Sequence, residues 1–533
     1  MVGGGAAASR AAYEAKRLYP RLKVLMAVAG AYGSSGSTNL IASESLGINA
    51  PFNFMNDGDS PDVHYQDMIE TGGGLSDPRL CRIIADEACD RVQELMDLEL
   101  KFDEENGHPV QRKLSGCTKA RSLTCGGSTG REMVSVLKKE GFRLGVEVME
   151  HIRVFNLIQD DHGRICGAIA LSNHVPLLIG AKAVILATGG AGGIFRHHVN
   201  PPTMEGDGWC MAFRAGARLV NMEFFQIGPA VFKPQMKFII HSHMWRLHPR
   251  LTNGLDEEFL PRYCPSGVNP DEVLSLKAMS YPFSVRSAAM FLDLAIFKEV
   301  MAGRGTSLDG VFFDVTHVGQ KALKERAPIA YRMIKQAGAD LSKEKIEVGL
   351  VVQNFNGGIL INSDGFTGVQ GLYAAGEVTG GVHGADRPGG NNLIDTQVFG
   401  FRAGRAAAKH ALETERNKMQ LSTLALLGME ISQEDEELIA RSADLYYRNL
   451  TIVRTKTGLE ETLQFIDSHH SHRNLFVQNR LLLGAILATA ALAREESRGT
   501  HYREDFPQTN PVWAKRVMIS KGQQENPVAE VLD

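Results

Sequence analysis

Two glycine-dense blocks of the 533-residue chain, one at its start and one over residues 371–393, restrict its fold more than any other feature. The first, Gly3-Gly4-Gly5-Ala6-Ala7-Ala8, has the form G-x-G-x-x-A and stands where a strand would end and a helix begin. Glycines at such a junction let the backbone approach a pyrophosphate, whose charge the helix N-terminus stabilises. Alone the pattern is weak, because a glycine-rich turn before a helix is also an ordinary connection. A predicted helix over residues 6–19, a second strand over residues 23–29 and the loop Gly33-Ser34-Ser35-Gly36-Ser37-Thr38 follow at the spacing of a β-α-β unit. Against that unit, Val28 stands where an acidic residue usually holds a ribose, and only Met1 and Val2 precede the first glycine. The second block is richer. Gly371-Leu372-Tyr373-Ala374-Ala375-Gly376-Glu377-Val378 and His383-Gly384-Ala385-Asp386-Arg387-Pro388-Gly389-Gly390-Asn391-Asn392-Leu393 set glycine turns around a short strand and open a helix.

Between the blocks, periodicity predicts helices from about residue 62 to 140, then a hairpin over 147–158 and 165–171. A buried parallel strand over 183–187 ends in Thr188-Gly189-Gly190. Residues 222–352, rich in Pro, His and aromatics, read as an irregular inserted domain. Strands return at 357–361 and 372–376, a long helix covers 396–413, and helical spacing continues over 438–450 and 479–493. The polar tail after residue 507 reads as an extended strap or a frayed end.

Composition removes several function classes. The chain is 44% hydrophobic and 22% charged, with 57 basic against 61 acidic side chains, so its formal charge of -4 gives no support for nucleic-acid binding. Its 7 cysteines lack C-x-x-C spacing, which signals neither a metal site nor an iron–sulfur cluster and fits a reducing cytoplasm. Apolar runs such as 183–187 and 481–492 fall short of the roughly 20 residues that span a bilayer, so no transmembrane segment is expected, and no signal peptide is visible.

With Ala187-Thr188-Gly189-Gly190, Gly206-Asp207-Gly208, Met222-Glu223-Phe224 and the basic stretch 494–503, the two glycine blocks make the chain resemble the flavoproteins of the fumarate reductase, succinate dehydrogenase and L-aspartate oxidase superfamily. The resemblance implies an α/β fold: a Rossmann-like FAD-binding domain split in sequence (1–221 and 355–412), an inserted α+β capping domain (222–354) and a C-terminal helical domain with its tail (413–533). It implies an FAD-dependent oxidoreductase acting on CH–CH groups. Cofactor contacts would come from Gly3, Gly5, Ala6, Ser37, Thr38, Ala187, Thr188, Gly189, Asp207 and Arg387, with Glu377 accepting from a ribose or ribityl hydroxyl. Asn391, Asn392 and Leu393 would lie beside the isoalloxazine, where a helix N-terminus stabilises a reduced, anionic ring. Several membrane-bound relatives link FAD covalently to a histidine in the Ser/Thr loop. Ser37 stands there in this chain, which implies non-covalent FAD.

The substrate end departs from the pattern. Relatives that reduce fumarate pass a proton through a Thr-Glu-x-x-Arg relay to a donor arginine, which works only where a charged, buried setting lowers the cost of deprotonating it. This chain has Ser242-His243-Met244-Trp245-Arg246 at the relay, so His243 would replace the glutamate, an exchange that imidazole chemistry allows. His241, His243 and His248 read equally as structural histidines of a loop. Arg286 is the donor candidate, although another register puts Phe283 there. Arg387 matches the arginine that grips a substrate carboxylate, a task suited to the guanidinium fork; the plainer reading pairs it with Asp386 or Asp395.

The family's His-Pro-Thr is here Gly228-Pro229-Ala230, and a second histidine is replaced within Gln353-Asn354-Phe355-Asn356. Both help relatives hold a dicarboxylate. Their loss, and the room expected at Gly228, imply an unsaturated acid other than fumarate, either a monocarboxylate or a bulkier enoate. The alternatives are an oxidase of the L-aspartate oxidase type and a non-catalytic electron-relay subunit. Without cluster-binding cysteines, any iron–sulfur or other electron-transfer centre must lie on a partner subunit or be replaced by a diffusible donor.

Overall fold

The structure is a computed structural model that describes residues 1–40, 46–172, 175–236, 238–415 and 431–532; the side chains of Ser242 and His243 lie outside the described residues. Its central sheet is parallel. Leu25–Val28 pairs with Glu147–Glu150, Val184–Leu186 pairs with Leu372–Ala374, and Val2 closes the gap with bridges to both Ala27 and Leu186. Leu25–Val28, Val184–Leu186 and Leu372–Ala374 are buried runs rather than alternating ones, as expected where helices cover a parallel sheet, while Glu147–Glu150 lies at the exposed edge.

Helix Ala6–Leu18 springs from the first glycine turn, and its alanines let it lie close to helix Asn391–Glu413. At Gly404 a Cβ would come within 2.6 Å of the Ala11 carbonyl oxygen, so the two helices approach as only a glycine permits. Both N-termini thereby point to the same edge of the sheet. Helices Pro61–Thr71 and Pro78–Asp97 start with Ser60 and Asp77 capping backbone N–H groups and with proline in the first turn.

The expected hairpin is divided differently. His151, with φ of 57°, breaks the predicted strand: Glu147–Glu150 joins the parallel sheet, while Ile152–Gln159, Ile165–Ser172 and Val175–Gly180 form an antiparallel meander. The stretch read as irregular holds a second antiparallel sheet, in the order Phe225–Lys233, Ile346–Phe355, Val311–Asp314, Arg250–Thr252. Its long Ile346–Phe355 strand is buried on both faces and so lacks the alternation that marks a half-exposed strand. The pairing Gln226↔Asn354 followed by Ile227↔Val352 leaves Gln353 as the extra residue of a β-bulge.

Helices Gln433–Leu450, Lys456–Asp467 and Leu475–Ala493 form the helical layer near the C-terminus. Leu475–Ala493 is longer than its apolar run suggested and, by length and composition alone, could cross a membrane; here most of it is buried inside the fold. Tyr446 packs across Gly484, and Asn479 and Arg480 reach polar partners. The tail neither frays nor lies as a strap: Arg516–Lys521 and Pro527–Leu532 form a hairpin that adds to Leu219–Val220. A buried network ties two of the sequence motifs together. Arg494 pairs with Glu223 at 2.7 Å and with Glu496 at 3.0 Å, and Arg454 donates to the Glu223 carbonyl at 2.7 Å.

Candidate functional site

A cleft enclosing about 1930 Å³, its open mouth included, runs from the first glycine turn to the antiparallel sheet. Gly3 to Ala7, Gly36 to Thr38, Ala187 to Gly189, Glu205 to Asp207, Gly376-Glu377 and Gly389-Gly390 line it. Gly3 has φ of 124°, and a Cβ on it would lie 2.2 Å from the Ala187 carbonyl oxygen; any side chain there would close the cradle. The Thr38 hydroxyl accepts from the Ala6 N–H at 3.4 Å, and Asn200 donates to the Ser37 hydroxyl at 2.9 Å. Asp207 accepts from Arg153 Nε and from Asn479 Nδ2, both at 2.8 Å, so Arg153, which also meets Glu205 at 2.7 Å, is electrically balanced.

Glu377 accepts from the Phe355 N–H at 3.1 Å, yet desolvation pushes its carboxyl up to about 7, against the pull of that bond and of Arg387. The Thr188 hydroxyl is buried without a partner among the described residues. A desolvated carboxyl on the cleft wall, an unused hydroxyl and a glycine cradle at a helix N-terminus fit the ribose hydroxyls and pyrophosphate of a dinucleotide.

Asn392 and Leu393 line the cleft, whereas Asn391 is turned into the interior. Its Oδ1 accepts from Asn49 Nδ2 at 2.7 Å and from His64 Nε2 at 2.9 Å. Burial pushes the His64 imidazole down to about 3, so the ring is neutral and its Nε2–H is the donor. Asn391 therefore anchors the start of its helix from beneath, and Asn392, which donates to Asn354 Oδ1 at 2.5 Å, faces the cavity.

Arg387 lines the far end of the cleft. Nη2 donates to Gln226 Oε1 at 2.6 Å, Nη1 to the Pro388 carbonyl at 3.2 Å, and Nε is buried without a partner among the described residues. Asp386 accepts from the Arg387 N–H at 2.8 Å and from Gln226 Nε2 at 3.3 Å. Burial holds the Arg387 guanidinium below its ordinary range, opposed by Asp386, Glu377 and Asp395. The loop that carries it is braced by Thr500, whose N–H donates to the Ala385 carbonyl at 3.0 Å.

Arg286, Phe283 and Arg246, the other described substrate-side candidates, are placed elsewhere, while the side chains of Ser242 and His243 lie outside the described residues. Arg286 is about a third exposed, donates weakly to the Thr71 carbonyl at 3.5 Å and stands 3.8 Å from Glu70; it is absent from the cleft wall, though its charge acts on Asp386. Phe283 is buried against Tyr502 and also leaves the wall, so neither register brings an arginine there. Arg246 follows helix Ser242–Trp245 and is exposed. His241, Tyr281, Pro282 and Gln353 occupy this part of the cleft instead. The space expected at Gly228 is filled, because a Cβ there would lie 2.6 Å from the Tyr281 hydroxyl. Sequence reading missed Gln226, His64, Asn49 and Tyr281, and named His241 only as a structural histidine of its loop. Only Gln226 had a local signal, standing just after the Met222-Glu223-Phe224 motif at the start of a strand.

Residues 1–393 match the FAD binding domain family, and residues 468–531 match the fumarate reductase flavoprotein C-terminal family. A fumarate reductase (CoM/CoB) subunit of Methanothermobacter marburgensis is 34% identical over 98% of this chain and 96% of its own. An L-aspartate oxidase of Caulobacter vibrioides is 30% identical over 87% and 86%. Among solved structures, Mycobacterium smegmatis Sdh1 in complex with UQ1 superposes with a TM-score of 0.84 at 29% identity, covering 100% of this chain and 94% of that one. The chain belongs to the FAD-dependent fumarate reductase, succinate dehydrogenase and L-aspartate oxidase flavoprotein family, oxidoreductases that act on CH–CH groups.

Proposed function

We propose that the protein reduces the carbon–carbon double bond of an unsaturated carboxylic acid other than fumarate, using non-covalently held FAD and electrons from a separate donor. The observation that carries this reading is Arg387, which lines the cleft with its fork held by Gln226. A substrate carboxylate suits a guanidinium oriented in this way.

Bound in the cleft, FAD supplies a reversible hydride donor. Gly3, Gly5 and Ala6 would receive its pyrophosphate, with Ser37, Thr38, Ala187, Thr188, Gly189 and Asp207 along its length and Glu377 accepting from a ribose or ribityl hydroxyl. Asn392 and Leu393, at the N-terminus of helix Asn391–Glu413, favour negative charge on a reduced ring. His241, which lines the cleft, joins the proton supply that sequence reading divided between the relay residue His243 and the donor Arg286. Arg286 acts at one remove: burial raises the Asp386 carboxyl above its ordinary range, and the Arg286 charge opposes that shift at the group that accepts from Gln226 and the Arg387 N–H.

The relative named as a subunit supports an electron-transfer partner for this chain, an iron–sulfur protein or a diffusible reductant. The test is a half-reaction. The protein is purified with its flavin, reduced with dithionite without air, and mixed with a panel of unsaturated acids. Reoxidation by a mono-acid faster than by fumarate supports the reading. Equal or faster reoxidation by fumarate contradicts it, and hydrogen peroxide formed from L-aspartate in air would assign the oxidase activity instead.

A further inference from the structure

Strand Phe225–Lys233 presents Gln226 and Gly228 on one face, about 7 Å apart. At the first position Gln226 holds Arg387. At the second, the ring of Tyr281 covers Gly228. The Tyr281 hydroxyl donates to Gln353 Oε1 at 3.0 Å, and Gln353 is the bulged residue of the neighbouring strand, which aims its carboxamide into the cleft. His241 lies against the same ring at 4.8 Å between centroids.

The pair has a defined hydrogen-bonding capacity. With Oε1 occupied, Gln353 offers its two Nε2 hydrogens, and the phenol oxygen still accepts. It carries no charge. Burial raises the Tyr281 hydroxyl well above its ordinary range, so it remains protonated. Lys277, whose ammonium stands 5.5 Å from the Tyr281 ring centre, is neutralised by Asp293 at 2.6 Å, and both are fully buried. With the His241 imidazole neutral, a second carboxylate here would be desolvated without a counter-charge among the described residues, which is costly. A carboxamide would be matched at both atoms: its oxygen accepts from Gln353, and its nitrogen donates to Tyr281.

We infer that Tyr281 and Gln353 form the specificity pair of the cleft, selecting a neutral carbonyl group, a carboxamide fitting best, at the end of the substrate remote from Arg387. The substrate class is then a short mono-anionic unsaturated acid with a neutral polar terminus. This rests on the reading above that Arg387 holds the carboxylate.

Succinamate and succinate test it, since they differ only by an amino group in place of one carboxylate oxygen and serve as product-side ligands. Each is titrated into the oxidised, FAD-loaded protein at pH 8, where imidazoles are neutral, and flavin absorbance reports binding. Succinamate is expected to bind about tenfold or more tightly. Tyr281→Phe and Gln353→Leu should each cut that preference below about threefold at unchanged flavin content, while Arg387→Ala should weaken binding of both ligands roughly 10- to 150-fold. If either wall variant fails to fold, Gln353→His gives a second readout: from pH 8 to about pH 6 it should gain more succinate binding than the unaltered protein, His241 being common to both. Succinate binding as tightly as succinamate to the unaltered protein overturns the inference and leaves the Arg387 reading standing. Binding of neither ligand overturns both.

Discussion

The Arg387 guanidinium and the Gln226 carboxamide meet at 2.6 Å, with Gln226 also donating to Asp386 at 3.3 Å. Gln226 thereby fixes the fork on one side and orients the guanidinium along the cleft wall. Gln226→Leu frees the fork and should raise KM about tenfold with little change in kcat, the loss of one hydrogen bond to a charged group. Gln226→Glu places a carboxylate on Arg387 and should abolish binding of the substrate acid while flavin is retained. An unchanged KM in both variants would remove Gln226 from the site.

Glu377 carries a proton below about 7 in the free cleft, because desolvation outweighs its hydrogen bonds. A cofactor hydroxyl donating to it favours the carboxylate, so FAD binding expels that proton. FAD affinity should therefore rise as the pH is raised toward about 7 and level off above it. Quenching of FAD fluorescence measures this, and Glu377→Gln should flatten the profile.

Ser37 cannot form the link that a histidine makes in some relatives. Acid precipitation of the yellow protein should leave all flavin in the supernatant. A coloured pellet would refute non-covalent binding.

Helix packing at Gly404 leaves no space for a side chain, the nearest atom to a built Cβ being the Ala11 carbonyl oxygen at 2.6 Å. Gly404→Val should cost about 1–3 kcal/mol through overpacking and loosen FAD, since the two helices it separates both start at the cofactor cleft. Thermal unfolding measures the loss. Lys409→Ala on the same helix, exposed and 3.9 Å from Glu413, should leave Tm unchanged.

The cofactor half of the site was legible because its signals are local. The turn at Gly3, the loop at Ser37 and Thr38, and the run from Glu377 to Leu393 each hold residue types whose spacing implies a backbone shape. Helix Ala6–Leu18 ends within one residue of the expected position. The substrate half depends on pairings distant in sequence. Tyr281 and Gln353 are 72 positions apart, and their contact depends on a bulge that no run of residue types announces. Asn391 was legible as part of the motif but not in its direction, which Asn49 and His64 decide from other elements. The break at His151 was hidden because a histidine in the left-handed region has no consistent sequence signature.

The most direct test of the account is the reoxidation of the dithionite-reduced protein by an unsaturated mono-acid, compared with its Arg387→Ala variant at equal flavin content. The rate per flavin should fall roughly 10- to 150-fold in the variant, the loss of a charge-assisted hydrogen bond to the substrate. An unaltered rate would show that no carboxylate is held at Arg387.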